Sequence, residues 1–401
     1  MSAKTHVLAL NMGSSSLKFA LYCVSATLSE LLISGKSESI GADRGEFRAW
    51  DARHKELIRE KVSNPSLREA IARIARLLTD FQLPTPAAIG HRIVHGGRSL
   101  RQHCLIDQAV LNQLSAASAF APLHTPAALS VIFFAHEYFP TLPQVACFDT
   151  AFHATLPPVA QVLPIAKALH AQGIQRYGFH GLSCESIVQQ LLAEAPHRLP
   201  ERLIVAQLGN GASITAIRAG QSVDTSMGMT PTGGVIMGTR SGDLDPGVVI
   251  HLIREQKFNA AMLEDLVERG SGLLGISGVS SDMRQLREAA ASNADAQLAI
   301  EMFNMSVRKQ LAAMIAVSGG VDLIVFTGGI GENDAEGRAA ICAGLSWMGV
   351  HLDESRNRVA KNPISESTSR CVVRVLISQE DERIAHHTRA LIASTRTAIS
   401  A

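Results

Sequence analysis

Three short apolar runs in this 401-residue chain each end in a glycine-rich polar turn, and that repeated layout restricts the available folds more than any other feature. Val7 to Leu10 leads into Asn11, Met12, Gly13, Ser14, Ser15 and Ser16, after which Leu17, Phe19 and Leu21 alternate with Lys18 and Ala20. Leu203 to Leu208 leads into Gly209, Asn210, Gly211, Ala212 and Ser213, with Ile214, Thr215 and Ala216 beyond. Leu323 to Phe326 leads into Thr327 and the stretch Gly328 to Asn333. Short apolar runs bounded by Gly/Ser turns predict strands, the first two as hairpins. Two such hairpins half a chain apart suggest a duplicated fold.

Helical patterns lie between them. Asn64 and Pro65 offer a cap and a first-turn proline, and Leu67, Ile71, Ile74 and Leu78 then line one face. A longer helix is expected from Asn293 to Ser318, with Leu298, Met302, Met305, Leu311 and Ile315 at helical spacing and Gly319-Gly320 as its stop. Strands and helices mixed along the chain predict an α/β protein. The length exceeds the roughly 250 to 300 residues at which single cores stop growing, so two domains are expected.

Lys+Arg 37 against Asp+Glu 36 leaves a formal charge of +1, which excludes nucleic-acid binding by bulk charge. With 46% hydrophobic and 18% charged residues, there is ample apolar surface for cores, which excludes disorder. The six cysteines, at 23, 104, 147, 184, 342 and 371, contain no Cys-x-x-Cys pair and fit reduced thiols in a cytoplasmic protein. The apolar run at Val7 is too short for a signal peptide, and none approaches the ~18 residues of a membrane span.

Two motif readings fail on spacing. Gly35-Lys36-Ser37 lacks the glycine that a P-loop needs five residues earlier, where Glu30 stands. His136-Glu137 is followed at position 140 by proline, so it is no zinc-protease helix, and no His/Cys cluster has metal-ligand spacing. The glycine turns are a different matter. Glycine lets backbone amides approach an anion, and Ser or Asn adds donors, so three such turns point to phosphate. Arg92, beside His91 and His95 and before Gly96-Gly97, and Arg240, between Gly238 and Gly242, are placed to grip an anionic substrate bidentately. Asp149 among apolar neighbours and His180 in an aromatic turn complete a candidate phosphoryl-transfer site.

Nine segments taken in order, Asn11–Lys18, Gly90–Gly97, Phe148–His153, Arg176–Gly181, Leu208–Ser213, Asp224–Gly228, Met237–Pro246, Ser280–Arg284 and Thr327–Asn333, resemble the motifs of the acetate kinase family across essentially the whole chain. The resemblance implies the fold of the acetate and sugar kinase, heat-shock and actin superfamily: duplicated ribonuclease H-like (actin-like ATPase) α/β domains around a nucleotide cleft. It implies a first domain of residues 1–150 plus 383–401, a second of 151–382 carrying the nucleotide site and dimer interface, and a homodimer. The implied reaction is ATP plus acetate giving ADP plus acetyl phosphate, reversibly, with magnesium or manganese.

Carried over position by position, the resemblance gives Asn11 and Glu380 to the metal, and Ser14, Ser16 and Lys18 to the phosphates. Gln207, Leu208, Gly209, Asn210 and Gly211, with Asp282, Met283, Arg284, Gly329, Ile330, Gly331, Glu332 and Asn333, surround the nucleotide. Arg92 holds the carboxylate, Asp149 is catalytic, and His180 with Arg240 stabilises the transferring phosphoryl group. Val94, Leu123, Phe179 and Pro231 wall the methyl pocket. Acetate is already ionised at neutral pH and needs no general base, so Asp149 is expected to orient Arg92 or metal-bound water rather than remove a proton.

The chain departs from the family pattern at four places. Gln207 stands where histidine is usual, Thr125 and Gln379 where asparagine is usual, and Gly233 where glutamate is usual. Gln207 donates to a phosphate oxygen but carries no charge. A propionate or butyrate kinase is the nearest alternative, since one apolar wall residue discriminates by only about 1 to 3 kcal/mol per methylene. A sugar kinase would need a base and polar contacts for a neutral hydroxyl. An actin-like or chaperone-like ATP-binding module would not need two arginines aimed at a small anion.

Overall fold

The structure, a computed structural model, describes residues 4–13, 15–63, 65–121, 124–196 and 198–399. The chain divides into two compact units, Met1–Ala154 with Gln379–Ala401, and Thr155–Ser378. The changeovers lie at 154/155 and 378/379, against 150/151 and 382/383 in the sequence reading.

The first unit is built on a sheet of β1 (Thr5–Met12), β2 (Leu17–Val24), β3 (Ser29–Glu38), β4 (Arg44–Asp51), β5 (Glu56–Ser63), β6 (Ala88–Ile93), β7 (Cys104–Leu105) and β8 (Gln144–Phe148), in spatial order β5-β4-β3-β2-β1-β6-β8-β7. The second unit holds β9 (Arg202–Leu208), β10 (Ala212–Arg218), β11 (Gln221–Thr225), β12 (Leu323–Thr327) and β13 (Val372–Val375), in order β11-β10-β9-β12-β13. The duplication is explicit in these orders. In β3-β2-β1-β6-β8 and in β11-β10-β9-β12-β13, the first three strands pair antiparallel and the last two join parallel. This is the ribonuclease H-like arrangement in both halves, and the two glycine hairpins expected from sequence, β1–β2 and β9–β10, occupy the same place in each.

β1, β6, β9 and β12 are central and buried on both faces, which is why β1, β9 and β12 carry continuous apolar runs. Gly35 sits in β3 opposite Phe19, where a methyl group would lie 2.3 Å from the ring, and that close approach to the Phe19–Phe47 stack is its structural role. The helix Leu67–Asp80 is capped by Ser66 in a reciprocal box with Glu69, which corrects the expected Asn64-Pro65 start; Asn64 itself lies outside the described residues.

The helix Ala294–Ser318 ends at Gly319 as expected, and of the five positions the spacing selected Leu311 and Ile315 are buried while the other three are not. Ala296, Ile300, Phe303, Val307 and Leu311 go inward, while Leu298, Met302 and Met305 are 47%, 40% and 46% exposed. The stretch Gly328–Asn333, read as a turn, is a short helix.

The C-terminal helix, Glu380–Ile399, belongs to the first unit and lies against β1 and β6. Gly90 permits this: a methyl group there would fall 2.2 Å from Thr388 Oγ1 and 2.5 Å from Ile384 Cγ2. The approach sets Glu380 and Asp381, in the first turn of that helix, beside the ends of β1 and β6. Among the described residues no helix is long and apolar enough to cross a membrane.

Candidate active site

In the first unit, the parallel pairing of β1, β6 and β8 brings their C-terminal ends together, which is where ligands bind in sheets of this kind. Arg92 is next to last in β6, and Asp149 follows β8 directly, with its amide donating to the Ile93 carbonyl at 2.9 Å. Arg92 Nε donates to both oxygens of Asp149, at 3.1 and 3.0 Å, and Nη2 donates to Oδ2 at 2.5 Å. Its Nη1 turns to Asn11 Oδ1 and the Met12 carbonyl, each at 3.4 Å. Asn11 Nδ2 then donates to Glu380 Oε2 at 3.1 Å and Asp381 Oδ1 at 3.0 Å. Lys18 pairs in register with Asn11 across the hairpin and acts on Asp381 through its charge.

Burial pushes Asp149 up to about 6, against the opposing pull of Arg92 and with a further push from Glu380. Burial likewise raises Asp381, against Asn11 and Lys18. Arg92 is itself desolvated, but the charges of Asp149 and Glu380 hold it firmly protonated. Three carboxylates thus face two cationic side chains in a poorly hydrated place, and a further positive charge would relieve them. Asn11, Glu380 and Asp381 are all hard oxygen donors, which suits magnesium. Asp381 was not among the residues read from sequence; only its position directly after Glu380 signals it.

In the second unit, His180 precedes the helix Gly181–Glu194 with a left-handed backbone, φ 57°, uncommon for a residue with a side chain. Its Nδ1 is 2.9 Å from Ser213 Oγ on β10. Arg240 lies in a loop tied to the β9–β10 turn by the Gly238 amide, which donates to the Asn210 carbonyl at 3.0 Å. The two side chains converge on that turn: a methyl group on Gly211 would lie 3.3 Å from Arg240 Nη1 and 3.4 Å from His180 Nε2. Gly329 closes on the same turn, with its amide nitrogen 3.9 Å from a methyl group placed on Gly209. The Ser281 carbonyl approaches Gly238, so the segment reaching Asp282 joins the same cluster.

The other expected residues make contacts of their own within the chain. Glu332 turns its carboxylate to backbone, accepting from the Gly328 amide at 2.9 Å and the Ser378 amide at 3.3 Å. Asn333 Nδ2 donates to the Gly329 carbonyl at 2.9 Å. Leu208 and Met283 are buried, leaving only their main chains to offer. Arg284 folds back on Asp282 at 2.6 Å. Gln207 accepts from Ser183 Oγ at 2.7 Å, which orients its amide nitrogen toward Gly328. Val94, Phe179 and Pro231 are buried. Ser14 and Leu123 lie outside the described residues, and Ser16 ends the β1–β2 turn.

Guanidinium and imidazole donors beside amide-rich turns are what phosphoryl transfer to an anionic acceptor demands, so fold and site define a kinase with duplicated ribonuclease H-like sheets. Residues 6–386 match the acetokinase family, and the chain belongs to it. It is 44% identical over 398 residues to an acetate kinase from Methylocella silvestris, covering 96% of this chain and 98% of that one. Two solved structures are similar throughout. A propionate kinase from Francisella tularensis superposes with a TM-score of 0.89 at 37% identity, covering 96% of this chain and 100% of the other. An acetate kinase from Porphyromonas gingivalis gives 0.84 at 34%, covering 97% and 100%.

Proposed function

We propose that this enzyme transfers the γ-phosphoryl group of ATP to acetate, reversibly, giving ADP and acetyl phosphate. The observation that carries the reading is the convergence of Arg240 Nη1 and His180 Nε2 over Gly211. A carboxylate oxygen of acetate attacks the γ-phosphorus in line. The new C–O–P bond forms as the bond to the β–γ bridging oxygen breaks, and ADP leaves with that electron pair. No proton is removed from the acceptor. Arg92 binds the carboxylate, while Asp149 and Asn11 hold Arg92 in place and the β1–β2 and β9–β10 turns present amides to phosphate. His180 and Arg240 donate to the equatorial oxygens as charge develops there. Bound magnesium, held by Asn11 and Glu380 with Asp381 beside them, would neutralise phosphate charge.

Acetate is the proposed acceptor, with the buried apolar residues Val94, Phe179 and Pro231 proposed to meet its methyl group. Among the described residues none of the six cysteines is joined in a disulfide, in keeping with a cytoplasmic enzyme. A homodimer is the proposed assembly. Leu298, Met302 and Met305, with Val248, Ile250 and Ile253 on the helix Pro246–Gln256, present exposed apolar side chains that a second copy would cover. Sedimentation at twice the 42.8 kDa chain mass is expected, and a stable monomer would overturn that assembly. The activity is tested in reverse: purified protein given ADP, magnesium and acetyl phosphate should form ATP, and no ATP from acetyl phosphate would sink the proposal.

A further inference from the structure

Glu268 ends the helix Ala260–Glu268 and has no place in any of the nine sequence motifs. Its Oε2 lies 3.1 Å from Arg240 Nε, and both side chains are largely buried, at 13% and 15% exposed. The carboxylate is held from its other side as well, since Thr232 Oγ1 donates to Oε1, and Thr230 Oγ1 donates in turn to Thr232 at 3.2 Å. The main chains are joined too. Thr239 Oγ1 donates to the Glu268 carbonyl at 2.8 Å, and the Ser241 amide donates to the Val267 carbonyl at 3.1 Å. Gly272, at φ 62°, packs so closely on this loop that a methyl group would lie 2.2 Å from the Met237 carbonyl oxygen and 2.7 Å from that of Arg240.

We infer that Glu268 is a positioning residue for phosphoryl transfer, which fixes the Arg240 guanidinium by its Nε edge so that Nη1 is aimed over Gly211 beside His180. An arginine side chain is long and rotamer-rich, and transition-state stabilisation requires its donors to be in place before charge develops. Glu268 supplies that restraint at the cost of dampening the charge of Arg240. Glutamine, which accepts from Nε without a charge, therefore substitutes better than alanine. The inference rests on the proposed transfer reaction, in which Arg240 acts on the phosphoryl group.

The test is a double-mutant cycle on the full chain, followed by hydroxylamine-trapped acyl phosphate, with melting curves to identify unfolded variants. Glu268→Ala should lower kcat by about 30-fold with KM for ATP within about 3-fold, and Glu268→Gln should retain more of kcat. On an Arg240→Ala background, Glu268→Ala should change kcat by less than about 2-fold, because the residue acts only through Arg240. If Glu268→Ala does not fold, Glu268→Gln takes its place in the cycle, with the same expected disappearance of its effect. An equal loss on both backgrounds, or no loss in the single variant, overturns the inference while leaving the reaction intact. A wild-type protein inactive with every acid overturns the reaction and this inference with it.

Discussion

Arg92 grips both oxygens of Asp149 at the end of two neighbouring parallel strands, and Asp149 is 1% exposed. A buried carboxylate so held cannot rotate to serve a substrate proton without giving up its partner. In the proposed reaction its role is to hold the guanidinium that would take the acceptor's carboxylate. Asp149→Asn should therefore lower acyl phosphate formation by about 100-fold, and the loss should persist at saturating magnesium. Steady-state rates across a magnesium series check this; near-full activity at saturation would remove the role.

The same geometry makes Arg92 irreplaceable by lysine, whose point charge cannot make parallel donations to Asp149 and still present an edge to acetate. Arg92→Lys should raise KM for acetate at least about 10-fold and change KM for ATP little. Initial rates with each substrate varied separately are the check.

Close approach of the C-terminal helix to β6 depends on Gly90. Gly90→Ala should destabilise the fold by about 1 to 3 kcal/mol and also raise the magnesium concentration needed for half-maximal activity, because Glu380 and Asp381 ride on the displaced helix. Denaturant melts and a magnesium titration on the same preparation should move together. A destabilised variant with unchanged magnesium response would separate the helix from the metal.

His91, in the middle of the sheet, gives a pH signature of its own. Burial pushes it down to about 4, and with its Nε2 bonded to Gln144 Oε1 at 2.6 Å, its Nδ1 has no partner among the described residues. The folded state thus holds it neutral, while the unfolded chain protonates it near 6.5. Its contribution to stability is complete above that value and is lost as pH falls toward 4. Between pH 7.5 and pH 5 this amounts to about 2 kcal/mol. Unfolding curves at the two values should show His91→Gln losing about that much less than wild type.

Local chemistry was legible in the sequence, and long-range pairing was not. The two glycine hairpins announced the duplication because each is contiguous and each follows a buried central strand. Arg92, Asp149 and Arg240 could be singled out because each sits among glycine or apolar neighbours. Asp381 and Glu268 escaped because their partners, Asn11 and Arg240, are distant in the chain and no spacing connects them. The helix from Ala294 misled for a physical reason: it is apolar on two faces, so spacing alone fits both the buried stripe through Phe303 and the exposed one through Met302. Glu332 carries an anion-site motif, yet its carboxylate serves the Gly328 and Ser378 amides, a use that only the folded backbone reveals.

The most direct measurement is ATP-dependent acyl phosphate formation, trapped with hydroxylamine, for the purified protein given acetate, propionate, butyrate or no acid. The account expects strong product formation with acetate, less with each longer acid and none without acid. ATP hydrolysis that no carboxylate converts into acyl phosphate would contradict it.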